Sequence, residues 1–122
     1  MKKQIIVFYV LICFLLCGCT YHQGTTSLKL SETDHYYNME AWFYENRTDD
    51  VEAYMDEKIG RANNVSFSAS RIDGRLTLGD RTTFFIKKFP GHIEIKLDKG
   101  ENSPGSYQKI KSLCEGIREV LD

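Results

Sequence analysis

The sequence has no G-x-S-x-G nucleophile elbow and no glycine-rich phosphate loop, which closes the two most legible routes to hydrolase and nucleotide chemistry. Histidine is scarce: His22, His35 and His92 are scattered along the chain, and none has the spacing of a metal site. Three of the four cysteines, Cys13, Cys17 and Cys19, crowd into the first nineteen residues and leave Cys114 alone in the remainder. A dominant charge is missing too. Sixteen Lys and Arg against seventeen Asp and Glu leave a net charge of −1, which lacks the basic balance of a nucleic-acid binder. These absences point away from an enzyme and give no reason to expect a catalytic group, a metal or a cofactor, since function has to be argued from a site.

Long apolar runs are missing with one exception. Residues 5–16 read IIVFYVLICFLL without a charge and follow Lys2 and Lys3, the layout of a positive n-region and an apolar h-region. The run ends in Leu16-Cys17-Gly18-Cys19. That tetrapeptide resembles the lipobox of bacterial lipoproteins, with Leu three places before the modified cysteine and a small residue just before it. The resemblance covers about the first nineteen residues and implies a signal peptide over 1–18, cleavage between Gly18 and Cys19, and a diacylglyceryl thioether on Cys19. Cys17 departs from the small residues usual at its position. Acylation of the new amine, as with palmitate, would add a further chain, and two or more chains hold a protein firmly to a bilayer. The alternative is an uncleaved span, because counting on to Tyr21 brings the run near the roughly 17 residues a bilayer requires. Thr20, next to the anchor, implies sorting to the outer membrane with the domain facing the periplasm; a Gram-positive cell surface is the alternative address. On this resemblance Cys114 survives as the one thiol and no intramolecular disulfide forms.

Removal of 18 residues from 122 leaves 104 and, with Lys2 and Lys3 gone, a net charge of −3. Residues 19–34 are polar and rich in Ser and Thr, which suits a tether of roughly 20 Å. Leu28-Lys29-Leu30 within them is open to pairing as a short edge strand. The charges are unevenly placed. Nine acidic residues and one basic lie between Glu32 and Glu57, while seven basic and three acidic lie between Arg61 and Lys96. Either the two halves complement each other within one fold, or a basic sheet face meets an anionic partner.

Residues 35–122 read as one small α+β domain. Over residues 36–44 (YYNMEAWFY) one face carries Tyr37, Met39, Ala41 and Phe43, a core pattern. The other carries Tyr36, Asn38, Glu40, Trp42 and Tyr44, which suits packing under a helix or a recognition surface. Asp49 as cap with Glu52 completing a capping box opens a helix whose stripe is Val51, Tyr54, Met55 and Ile59 and whose stop is Gly60. Val65, Phe67 and Ala69 alternate with serines as a strand, and Asp73-Gly74 signals a two-residue hairpin. A run over 82–89 joins through Pro90-Gly91 to a strand over 92–98. Ser103-Pro104 then opens a second helix with Tyr107, Ile110, Leu113, Cys114, Ile117, Val120 and Leu121 on its apolar stripe. The expected order is β-α-β-β-β(-β)-α: an antiparallel sheet of four to five strands with both helices packed on one face.

The function this organisation implies is a non-enzymatic binding or adaptor module, held to the membrane through Cys19 and engaging an envelope protein rather than nucleic acid. The alternative is an inhibitor or immunity lipoprotein that plugs a toxic envelope hydrolase, with acidic residues 49–57 as its plug. An enzyme built on His35 or His92 is a third and weaker class. The candidate partner-binding residues are Tyr36, Trp42, Tyr44, Asp49 and Asp50. Cells fed a labelled fatty acid should incorporate it into the protein, and Cys19→Ala should abolish that labelling; mass spectrometry should find the native chain starting at Cys19.

Overall fold

The structure is a computed structural model that describes residues 26–68 and 71–122. Residues 1–18, with the cleavage residue Gly18, and the lipidation residue Cys19 lie outside the described residues, as does Ala69. The elements are β1 (Ser27–Glu32), β2 (Tyr36–Trp42), α1 (Thr48–Met55), β3 (Ile72–Thr77), β4 (Thr83–Phe89), β5 (His92–Asp98) and α2 (Pro104–Leu121). The five strands form one antiparallel sheet in the order β1-β2-β5-β4-β3. Two strands contributed by the start of the chain are thus sewn to a three-stranded meander through the β2–β5 pair.

Alternation explains the core. Tyr37, Met39 and Ala41 of β2 share a face with Ile93, Ile95 and Leu97 of β5 and Phe84 and Ile86 of β4, and all are buried. Val51, Met55 and Ile59 from the α1 segment and Ile110, Leu113, Ile117 and Leu121 from α2 close over that face. Each such side chain contributes on the order of 1.5–3 kcal/mol by leaving water. Cys114 belongs to this layer, and burial pushes its thiol far above the ordinary value, so it is held as an unreactive SH.

The α+β class and the helices on one face match the expectation from sequence, and four local features differ. Ser27–Glu32, within the expected tether, is a strand: Leu28 and Leu30 sit opposite Ala41 and Met39 and cover their flank, so the edge-strand alternative for Leu28-Lys29-Leu30 is the one found. The segment at 65–68 is not a strand. Phe67 turns fully into the core with Val65 packed against it, and the Phe67 backbone N–H donates to Asp56 Oδ1 at 2.7 Å, which pins the segment beneath the end of the helix instead of beside another strand. Asp73-Gly74 is not a turn but the middle of β3, opposite Lys87 and Ile86. The reversal falls at Gly79-Asp80, closed by Leu78 N–H to Thr82 O at 2.8 Å and by Asp80 accepting from Thr82 N–H at 3.1 Å.

The fourth difference is at α1. Its first helical residue is Thr48, no side chain caps it, and Thr48 Oγ1 instead accepts from Gly91 N–H at 3.0 Å, tying the helix start to the β4–β5 turn. Glu52 does not reach back to make a capping box; it faces inward and pairs with Lys88, buried on the core face of β4. Gly60 is not the stop either. The helix widens at Asp56–Gly60, tightens at Arg61–Asn63, and ends at Asn64 in the left-handed conformation. Gly60 is needed because a Cβ there would lie 2.6 Å from the Val65 carbonyl oxygen. α2 starts as expected, with Ser103 Oγ accepting from Ser106 N–H at 3.0 Å and Pro104 in the first turn. Its Gly116 faces the Tyr54 hydroxyl, 1.6 Å from where a Cβ would be, so a residue unfavourable in helices is the one that lets α1 and α2 touch.

Removing one partner of a buried ion pair takes away the counter-charge of the other. Glu52→Ala is expected to lower unfolding stability by about 3–5 kcal/mol, read from urea denaturation, whereas the double replacement Glu52→Leu with Lys88→Met should recover most of it.

Candidate functional site

With both helices on one face, the opposite face of the sheet is not covered by either. Strand pairing arranges its side chains in cross-strand rows. One row is aromatic: Ser27, Trp42, His92 and Phe89 lie side by side across β1, β2, β5 and β4. The His92 imidazole is stacked on Phe89, with ring centres 4.6 Å apart and planes 17° apart, and flanked by Trp42 at 5.2 Å. That sandwich leaves His92 only 4% exposed although it stands on the open face. The next row is charged: Lys29, Glu40, Glu94, Lys87 and Asp73 follow one another across all five strands. The third row is Ser31, Asn38, Lys96, Phe85 and Arg75.

Between the charged row and the third row is a cleft of about 290 Å³ lined by Lys29, Ser31, Asn38, Glu40, Glu94 and Lys96. Beside it is a second hollow of about 280 Å³, bordered by Tyr36, Arg75, Phe85, Lys96 and Asp98. Both are lined largely by polar and charged groups. His92 Nε2 lies 3.2 Å from Glu40 Oε2, and the donor atoms of Glu40, His92 and Glu94 all fall within 4.8 Å of one another. Burial, and then the hydrogen bond and negative charge of Glu40 directly opposite, hold the Glu94 carboxyl above its ordinary value; His92 and Lys87 pull it the other way. His92 Nδ1 and Asn38 Oδ1 are buried without a hydrogen-bond partner among the described residues.

The candidate residues named from sequence do not form one patch. Tyr36 and Trp42 stand on the open face, 41% and 45% exposed, at opposite ends of β2 and so roughly 20 Å apart. Neither is packed under a helix, which corrects that expectation for the outer face of β2. Tyr44 is 55% exposed just beyond the strand. Asp49 and Asp50 lie in the first turn of α1, in the helical layer, and Asp50 is tied to Arg47 at 3.0 Å. His35 sits in the β1–β2 turn, at the end of β2 away from His92. His22 lies outside the described residues. Of the two charge halves, Glu52 pairs with Lys88 across the division, while Glu32 pairs with Lys99, Arg75 with Glu101 and Asp80 with Lys109 outside it.

No family model, curated protein or solved structure matches the chain. No helix among the described residues is long and apolar enough to cross a membrane.

Two carboxylates directly opposite each other on neighbouring strands destabilise a sheet. Glu94→Gln is therefore expected to raise stability at pH 7 by about 0.5 kcal/mol. Because the folded protein holds this carboxyl above its ordinary value, the parent's penalty grows as pH rises through the folded-state value. The advantage of the variant should then disappear in denaturation curves recorded below the ordinary value of 4.5.

Proposed function

We propose that this chain is a membrane-anchored envelope lipoprotein whose domain is a non-enzymatic binding module. It would engage an envelope protein with the open face of its sheet. The observation that carries this reading is the one-sided sheet: the face away from the helices presents half-exposed Trp42 and Tyr36 among Lys29, Arg75, Lys87 and Lys96. Exposed Trp and Tyr, with Arg75 bordering the same hollow as Tyr36, are the residue types that anchor interfaces. The lipobox residues Leu16-Cys17-Gly18-Cys19 supply the membrane address, with the outer membrane facing the periplasm as the proposed location. For the alternative, an inhibitor or immunity lipoprotein, the acidic segment 49–57 is a poorer plug than its composition suggests, because Glu52 faces inward and Asp50 is paired.

The test is photo-crosslinking in intact cells with the reactive residue at Tyr36 or Trp42 of the open face, or at Glu115 on the exposed side of α2. A discrete adduct from positions 36 and 42 and none from 115 is the expected result; adducts from 115 alone would overturn the reading. With the probe at Tyr36, Trp42→Ala should reduce the adduct at least tenfold, since truncating an interface anchor costs about 2 kcal/mol.

A further inference from the structure

We propose that Glu40, His92 and Glu94 form a binding site for a divalent transition-metal ion of the zinc class. The inference stands apart from the docking role above, because it rests on three side chains and not on the identity of a partner.

The charged row shows the need for a cation. Read across the sheet it runs Asp73, Lys87, Glu94, Glu40, Lys29, with signs alternating except at the centre, where Glu94 and Glu40 are directly opposed. A cation between those two would complete the alternation. One imidazole and two carboxylates form a donor set suited to zinc and its neighbours, and three protein donors leave one position of a tetrahedron open. The donor atoms already lie within 4.8 Å of one another, against the roughly 3.3 Å between ligands in a tetrahedral zinc shell. A modest change in the Glu94 side chain closes that difference. All three ligands stand on the adjacent strands β2 and β5, whose register is set by the core on the other face, and sites built on strands hold their geometry better than sites on loops.

His92 is oriented for the task. Phe89 and Trp42 hold the ring from both sides and direct Nε2 toward Glu40, a placement that in many metal sites a hydrogen bond to Nδ1 provides. The protein itself leaves a polar atom beside the cluster unsatisfied. Asn38 Oδ1, in the cleft with Glu40 and Glu94, is buried without a partner. Buried polar atoms without partners are uncommon in native folds. A water on the open position of the metal would offer a donor to Asn38 Oδ1, which lines the same cleft. Protonation of His92 is the competing way to place positive charge beside the two carboxylates, and the experiment separates the two.

Trp42 is the single tryptophan of the chain and its ring lies 5.2 Å from His92, so its fluorescence reports on the site. The full-length chain in detergent micelles would be titrated with zinc chloride, and in parallel with cobalt and magnesium chlorides. A saturable change at one zinc per chain is expected, with quenching by cobalt, a rise in Tm with zinc, and no response to magnesium at equal concentration. Glu94→Gln and His92→Gln should each weaken zinc at least tenfold. Glu94→Gln is the decisive variant because it is expected to fold at least as well as the parent. Absence of a saturable response would overturn the proposal, as would a zinc response that survives both substitutions, and a magnesium response equal to that of zinc would overturn the assignment of the metal class.

Discussion

The pairing of β2 with β5 determines both faces of this protein at once. Met39 opposite Ile95 and Glu40 opposite Glu94 are consecutive rungs of one ladder. Because side chains alternate, a slip of a single residue would turn Met39 and Ala41 to solvent and drive Glu40 into the apolar layer. The burial of Tyr37, Met39 and Ala41 against Ile93, Ile95 and Leu97 therefore enforces a register in which two carboxylates oppose each other on the outer face. Hydrophobic burial worth several kcal/mol outweighs a cross-strand repulsion of at most about 1 kcal/mol. The like-charge pair persists because the other side of the same strands holds it there.

The helical layer is fastened by fewer and less forgiving contacts. α1 is short, lacks a side-chain cap, and depends on what it touches: Thr48 on the β4–β5 turn, Glu52 on Lys88, Tyr54 on Gly116. The buried ion pair gives little net stability against an apolar replacement, yet it favours one angular setting of α1, since any rotation that exposes Glu52 separates its carboxylate from the buried Lys88 ammonium. The apolar stripe of Val51, Met55 and Ile59 supplies the energy, and Glu52 with Lys88 selects the orientation.

What the sequence makes legible follows from how local each signal is. The start of α2 is written in adjacent residues, Ser103 as cap and Pro104 in the first turn, and Pro90-Gly91 marks the β4–β5 reversal in the same local way. Asp73-Gly74 carries an equally strong local signal that tertiary pairing overrides: residues 72–77 half-bury Ile72 and Leu76 beside β4, while Phe67 is drawn under α1, so among the described residues no strand lies just before β3 to form a hairpin. β1 is hard to see because Leu28 and Leu30 are its two apolar residues in a polar stretch. The cluster of Glu40, His92 and Glu94 is invisible for a different reason. Alternation reveals that each residue points away from the core, but bringing Glu40 beside His92 depends on a pairing across 52 positions that no local pattern encodes.

The strand nearest the proposed anchor also orients the open face. Ser27 begins β1 and lies opposite Trp42, in the row that contains His92 and Phe89, whereas Tyr36 lies at the other end of β2. From a lipid on Cys19 to Ser27 the backbone can reach at most about 28 Å. The described chain enters the sheet at the aromatic row, and a lipid on Cys19, as proposed, would keep that row within reach of a bilayer surface while Tyr36 stands roughly 20 Å further along the strand. A partner contacting both Trp42 and Tyr36, as proposed, would have to extend along β2 from the end of the sheet where β1 begins.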